Sequence, residues 1–307
     1  MGTLAAAQGK EGQEVCKRII AKRPPTSYRW AFLHRKGVFV KAGVSTASLY
    51  PLHTEDALRE IAQRGIKTAE IFFNCNTEFE GDIFGEITSI VSDYGMDISS
   101  VHPFSSPMET VYLFSDYDRR VDEIMDKYRR YFESMNRLGA KIFVLHGALQ
   151  SAKIEKPLYA ERLYGLTRAG YEFGITVAQE NVCYCKCHSV EYLTYLSEQL
   201  GEDAHFVLDI KQAVRSGISP FEIINALGKK IIHYHISDHK QGADCLPVGE
   251  GDFDFPKFIN TLESLDYKGA LIVELYRENY KDYDQLIRSA KTMENMLNLQ
   301  KGLANTH

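Results

Sequence analysis

No apolar run in this sequence approaches the roughly 20 residues that a membrane-crossing helix needs. The stretch MGTLAAAQGKEGQEVCKRII has no continuous apolar segment followed by a small-residue cleavage site, so no secretory signal is read there. Basic residues are not in excess. The formal net charge is −5 over 307 residues, which offers no bulk attraction to nucleic acid or to an anionic membrane. Cysteine is scarce and poorly spaced for crosslinking. Of the six cysteines, three crowd into CYCKC, which matches neither the C-x-x-C spacing of structural zinc or redox pairs nor a secreted disulfide framework. Reduced thiols and a cytoplasmic setting are the expectation. The segment KAGVSTASLYP carries no G-x-G-x-x-G, which argues against a dinucleotide-binding doubly wound sheet.

What is present is a regular alternation. From Lys41 onward, short β-rich apolar runs are expected at 41–45, 68–73, 97–102, 141–146, 175–180, 205–209, 231–236 and 269–275. Helical stretches are expected near 54–64, 82–94, 117–138, 157–173, 189–200, 219–228, 255–265 and 282–299. Runs such as KIFVLH and ALIVEL suit parallel strands covered on both faces. A glycine follows several helices (RGIKTAEIFF, YGMDISSVH, LGAKIFVLH, FGITVAQEN), as a left-handed cap requires. Eight strand–helix units with right-handed crossovers predict a single-domain α/β (β/α)8 barrel over residues 40–307, a fold that typically takes about 250 residues. Residues 1–39 are an N-terminal extension: either upstream of the native start, or an arm that covers the barrel bottom or a partner.

In such a barrel the strand ends at the C-terminal mouth carry function. In order they read His102, His146, Glu180, Asp209, His235 and Glu274. Any one of these alone is an ordinary hydrogen-bonded cap. Six in succession are not, because Glu180, Asp209 and Glu274 converging on a narrow mouth would repel unless a cation sat among them. Three carboxylates with one neutral imidazole suit one divalent ion, manganese first, with magnesium, cobalt or zinc as alternatives.

Five motifs then fall in order along nearly the whole barrel: QEN, LDI, H-x-H-x-x-D, LPVGEGDFDF and IVEL. In these the chain resembles the xylose isomerase-like TIM barrels, which include sugar and sugar-phosphate isomerases and epimerases as well as the endonuclease IV class. The resemblance implies that Glu180, Asp209, His235 and Glu274 hold the metal and that Glu180 and Glu274 are also the catalytic acid/base pair. It further implies a small-molecule sugar or sugar-phosphate partner and possible homo-oligomers. Three positions depart from the family. Gln212 stands where strand six commonly has histidine, and Lys186 and Gln241 stand where ketohexose 3-epimerases carry glutamate and arginine. His102 and His146 match two zinc positions of the endonuclease class, but the Asp244 loop lacks that class's D-x-H pair.

The expected reaction is proton transfer next to a sugar carbonyl through a metal-stabilised enediolate. The same apparatus would drive β-elimination, as a lyase or dehydratase on a keto-sugar, an inosose or an oxidised C-glycoside. A phosphodiesterase and a sugar-binding barrel without turnover are the remaining alternatives. His102, His146, Lys186, Gln212 and Phe73 are candidate substrate contacts, and the two histidines are alternatively ligands of a second metal. The loop LPVGEGDFDF is expected to use its glycines for close backbone approach to a ligand; it has no G-K-[ST], so a substrate phosphate is neither required nor excluded. Cys183, Cys185, Cys187, Cys75 and Cys245 are expected on mouth-side loops, which would make the site sensitive to oxidation.

Overall fold

A computed structural model describes residues 40–104 and 106–304. Eight parallel strands close into a barrel: β1 (Lys41–Ser45), β2 (Thr68–Phe73), β3 (Asp97–Pro103), β4 (Ile142–Leu145), β5 (Thr176–Glu180), β6 (Phe206–Asp209), β7 (Ile231–Ile236) and β10 (Ala270–Val273). Closure comes from β1, which pairs with β2 on one side and with β10 on the other. The expected strands are all present to within a residue or two. The extension at 1–39, with Cys16 and Trp30, lies outside the described residues. No described helix is long and apolar enough to cross a membrane.

Around the barrel run α1 (Thr54–Gln63), α2 (Gly81–Asp93), α3 (Asp118–Leu138), α4 (Lys156–Glu172), α5 (Val190–Leu200), α6 (Ile210–Arg215), α7 (Pro220–Leu227), α8 (Phe255–Ser264) and α9 (Tyr283–Ala304). Gly65, Gly95, Gly139 and Gly174 all take positive φ, as their places after helices require. One element was not anticipated: an antiparallel hairpin, β8 (Asp238–Lys240) with β9 (Ala243–Leu246), inserted after β7.

Alternation along each strand divides the side chains into two sets. In β4, Phe143 turns outward and packs against Tyr128, Tyr131 and Phe132 of α3. Val144 turns inward and joins Ala178, Val207 and Ile232 in a small separate apolar cluster. His146, Glu180 and Asp209 follow two residues after Val144, Ala178 and Val207, so parity places them on the same inner face at the mouth. An apolar floor thus lies beneath a polar, titratable upper layer.

Candidate metal centre

One oxygen or nitrogen from each of Glu180, Asp209, His235 and Glu274 lies within 4.8 Å of the others. His235 Nδ1 is the hub: it is 3.2 Å from Glu180 Oε1, 3.9 Å from Asp209 Oδ2 and 3.3 Å from Glu274 Oε2. Glu180, Asp209 and His235 are each only 1% exposed. The Nε2 atoms of His102 and His146 stand 3.5 and 3.1 Å from Glu180 Oε2. The strand-end residues expected to converge therefore do so.

Neighbouring residues fix their poses. The QEN motif is largely structural. Gln179 Nε2 donates to the carbonyls of Leu145, His146 and Glu180, and this ties the ends of β4 and β5 together. Asn181 exchanges two hydrogen bonds with the Asp209 backbone: it accepts from the amide at 2.7 Å and donates to the carbonyl at 3.1 Å. Asp209 Oδ1 caps α6 through the Gln212 amide, at 3.0 Å, so that Oδ2 is left for the cluster.

Two residues outside the expected set complete the centre. Glu70, in the middle of β2 and fully buried, holds the far side of His235 through Nε2 at 3.0 Å. The same carboxylate takes Ser45 Oγ at 3.1 Å, Ser100 Oγ at 2.7 Å and His233 Nε2 at 3.2 Å. A buried carboxylate on the far nitrogen is the usual partner of a metal-ligating histidine, because it fixes the ring and leaves the other nitrogen for the ion. Lys211, 2% exposed on α6, lies 3.0 Å from both Asp209 Oδ2 and Glu274 Oε2, with the Tyr276 ring 4.7 Å away. A lone acid in TAEIFF and a lysine two residues past Asp209 are charges that the fold buries, and each needed a partner.

The electrostatics follow from this crowding. Burial opposes the charge on Glu180, yet the facing imidazoles of His102, His146 and His235 hold its carboxyl well below the usual range. Glu70 behaves alike: His235 and His233 outweigh its burial. Burial would lower His235, but Glu70 and Glu274 raise it well above an ordinary histidine. Burial lifts Asp209 to about 7 in spite of Lys211, with Glu274 and Glu180 adding to the push. Lys211 stays firmly cationic, since Asp209 and Glu274 overcome its desolvation.

The donor set fits a divalent ion. Glu180 Oε2 and Asp209 Oδ2 are buried acceptors without a well-directed hydrogen bond. The Lys211 ammonium stands 3.0 Å from Asp209 Oδ2 and the His146 imidazole 3.1 Å from Glu180 Oε2, and each oxygen keeps a further lone pair that a divalent cation can use. Glu180, Asp209, His235 and Glu274 would hold the ion, with His102 and His146 flanking it.

The structure moves one expected contact away from the centre and places the others as follows. Phe73 is not at the site. It is fully buried on the outer face of β2 against Phe79, Phe84 and Tyr131, whereas Phe72 faces the mouth with its ring 4.7 Å from His102. Gln212 accepts the Cys183 amide through Oε1 at 3.1 Å. Lys186 lies part-exposed on the loop after β5, where its amide donates to the Ala148 carbonyl. The glycines of LPVGEGDFDF bring backbone to Asp238 and not to an open ligand site. Asp238 Oδ2 accepts the amides of Gly249 and Gly251, both at 2.9 Å, and Oδ1 those of His239 and Phe253. A Cβ on Gly251 would clash with Asp238 Oδ1. Cys75, Cys183, Cys185, Cys187 and Cys245 form no disulfides. Cys185, Cys187 and Cys245 are buried, which pushes Cys187 up to about 12 and Cys245 to about 11. Thiols so hard to ionise are poor targets for oxidation.

A family model described as xylose isomerase-like TIM barrel matches residues 58–299. An uncharacterised protein of Mycobacterium leprae is 21% identical over 294 residues, spanning 87% of this chain and 98% of that protein. An inosose isomerase of Bacillus velezensis is 24% identical over 201 residues, 60% of this chain and 72% of its own length. Among solved structures, a D-tagatose 3-epimerase-like protein superposes with a TM-score of 0.71 at 19% identity, covering 86% of this chain and all of that one (100%). A 3-keto-D-glucoside 4-epimerase from E. coli gives 0.68 at 14% identity, covering 83% and 99%. At such identities the structural likeness speaks for the fold.

Proposed function

The chain belongs to the xylose isomerase-like TIM barrel family, and from that premise we propose that it is a divalent-metal-dependent isomerase or epimerase of a sugar or a cyclic polyol ketone. The observation that carries this reading is the buried convergence of Glu180, Asp209, His235 and Glu274 within 4.8 Å. Three carboxylates and an imidazole are held there by hydrogen bonds with Asn181, Gln212 and Glu70 and by the facing Lys211 ammonium. The relatives named as sugar epimerases and inosose isomerases support the same class.

The ion, when bound, supplies Lewis-acid stabilisation of negative charge on neighbouring substrate oxygens. The protein's own groups move the proton. Glu180, entering from β5, and Glu274, at the end of β10, are both kept ionised by their neighbours, and each is therefore ready to accept a proton from the carbon beside a carbonyl. Epimerisation also needs a proton delivered to the opposite face, and a second carboxyl on a different strand can deliver it in the turnover where it has itself taken up a proton from solvent while its partner is ionised. General acid–base assistance of this kind contributes about 10²–10⁴-fold. His102 and His146, set against Glu180, are placed to receive substrate hydroxyls. Phe72, beside His102, offers an apolar face suited to sugar C–H surfaces.

Incubation with candidate ketoses and inososes in D2O with Mn2+ tests the reading. Deuterium is expected at the carbon next to the carbonyl, together with isomeric products. No exchange from any of them, by protein that demonstrably holds the ion, would overturn it. Exchange with loss of water or an aglycone would assign the site to elimination instead.

A further inference from the structure

We propose that Lys211 is a resident cation of the metal centre, which shares Asp209 Oδ2 and Glu274 Oε2 with the divalent ion and so weakens the ion's hold. This rests on the reading that Glu180, Asp209, His235 and Glu274 bind such an ion. The geometry is specific. Lys211 Nζ lies 3.0 Å from each of those two oxygens, and these same atoms face His235 Nδ1, at 3.9 and 3.3 Å. The lysine therefore contacts the atoms that the ion would use, and it does so from a buried position. The aromatic face of Tyr276 stands over it at 4.7 Å. Outside Tyr276, Arg215 donates to the tyrosine hydroxyl and forks onto Asp244. The ammonium has little room to withdraw when an ion arrives.

The charge balance gives the arrangement its consequence. Glu180, Asp209 and Glu274 contribute three negative charges, and Lys211 offsets one. A divalent ion then brings this inner group to neutrality, where three carboxylates alone would leave it anionic. Two cations on shared oxygens also repel one another, so the ion is held less tightly than the donor set by itself would allow. An oxyanion formed beside a neutral centre meets less repulsion than beside an anionic one.

Titration with Mn2+ alone, without substrate, tests this on the full chain. At about pH 8, Lys211→Met is expected to bind Mn2+ about tenfold or more tightly than wild type, with Lys211→Arg close to wild type. Tighter binding is the diagnostic result, because a structural lesion would loosen the site. Equal or weaker binding by Lys211→Met, with wild type binding normally, would overturn the inference. Thermal unfolding provides the second measurement. Removing Lys211 takes one compensating charge away from the three carboxylates, so Lys211→Met and Lys211→Gln should melt below wild type in EDTA and gain more from added Mn2+ than wild type does. Variants that stay unfolded even with Mn2+ would also contradict the inference, because the ion should replace the missing charge. If wild type itself binds no Mn2+, it is the ion-binding reading that fails, and the wild-type titration alone shows it.

Discussion

Glu70→Gln is the substitution whose cost can be worked most directly from the structure. Glu70 Oε2 is the common acceptor for Ser100 Oγ, His233 Nε2 and His235 Nε2, at 2.7, 3.2 and 3.0 Å, and Oε1 accepts Ser45 Oγ at 3.1 Å. Glutamine keeps one acceptor oxygen and sets an NH2 group against either Ser45 or the Ser100–histidine cluster. At least one buried donor loses its acceptor, and His235 loses the counter-charge on its Nε2 side. Breaking a buried ion pair from one side costs about 3–5 kcal/mol, and that is the expected loss in unfolding free energy of the metal-free protein. Loss of a second-layer carboxylate on a metal-binding histidine also typically weakens the metal by about 10–100-fold. Urea unfolding in EDTA and Mn2+ titration read the two effects separately.

The cost should vary with pH in a defined way. Glu70 has a lowered pKa in the fold, so its contribution is present above the unfolded carboxylate value of about 4.3 and is lost as pH falls through its lower folded value. His235 has a raised pKa; its contribution is present below its unfolded value of about 6.5 and is lost as pH rises through the higher folded one. The gap between wild type and Glu70→Gln should thus be widest in mildly acid to neutral solution. A loss below about 1 kcal/mol, the level of an exposed ion pair, with unchanged metal affinity would refute the assigned role of Glu70.

Other outcomes follow from the same geometry. His235, with its raised pKa, and Asp209, at about 7, carry protons that must leave before both can bind an ion. Mn2+ affinity should therefore weaken as pH falls through about 7, and calorimetry in buffers of different ionisation enthalpy should register proton release. Phe73→Ala should cost about 3–5 kcal/mol of stability, as expected for a buried aromatic, and leave KM for the identified substrate unchanged. Phe72→Ala should raise KM with a smaller stability loss; denaturation and steady-state kinetics on the pair check the assignment.

Much of this molecule was legible in its sequence, because local rules and global fold agree. The apolar runs are short and β-rich, and the glycines at 65, 95, 139 and 174 sit where helix ends need positive φ. The mouth residues stand within one position of the strand ends, where barrel geometry brings them together. What escaped notice lay where parity or burial decides. Phe72 and Phe73 are adjacent and chemically identical; only the strand's alternation, offset by an irregularity between Ala69 and Glu70, sends one to the mouth and the other to the helices. Glu70 sits in mid-strand, so attention to strand ends passes over it. Lys211 follows the strand in a segment read as connection, and its pairing with Glu274 spans 63 residues of sequence. Asp238 follows His235 by three residues, and its oxygens are taken up by four backbone amides from the loop beyond.

Anomalous scattering from a crystal grown with Mn2+, recorded at the manganese edge, tests the central claim most directly. A single strong peak within bonding distance of Glu180, Asp209, His235 and Glu274 is the predicted result. A peak held by other residues, or no peak in a crystal saturated with the ion, would contradict it.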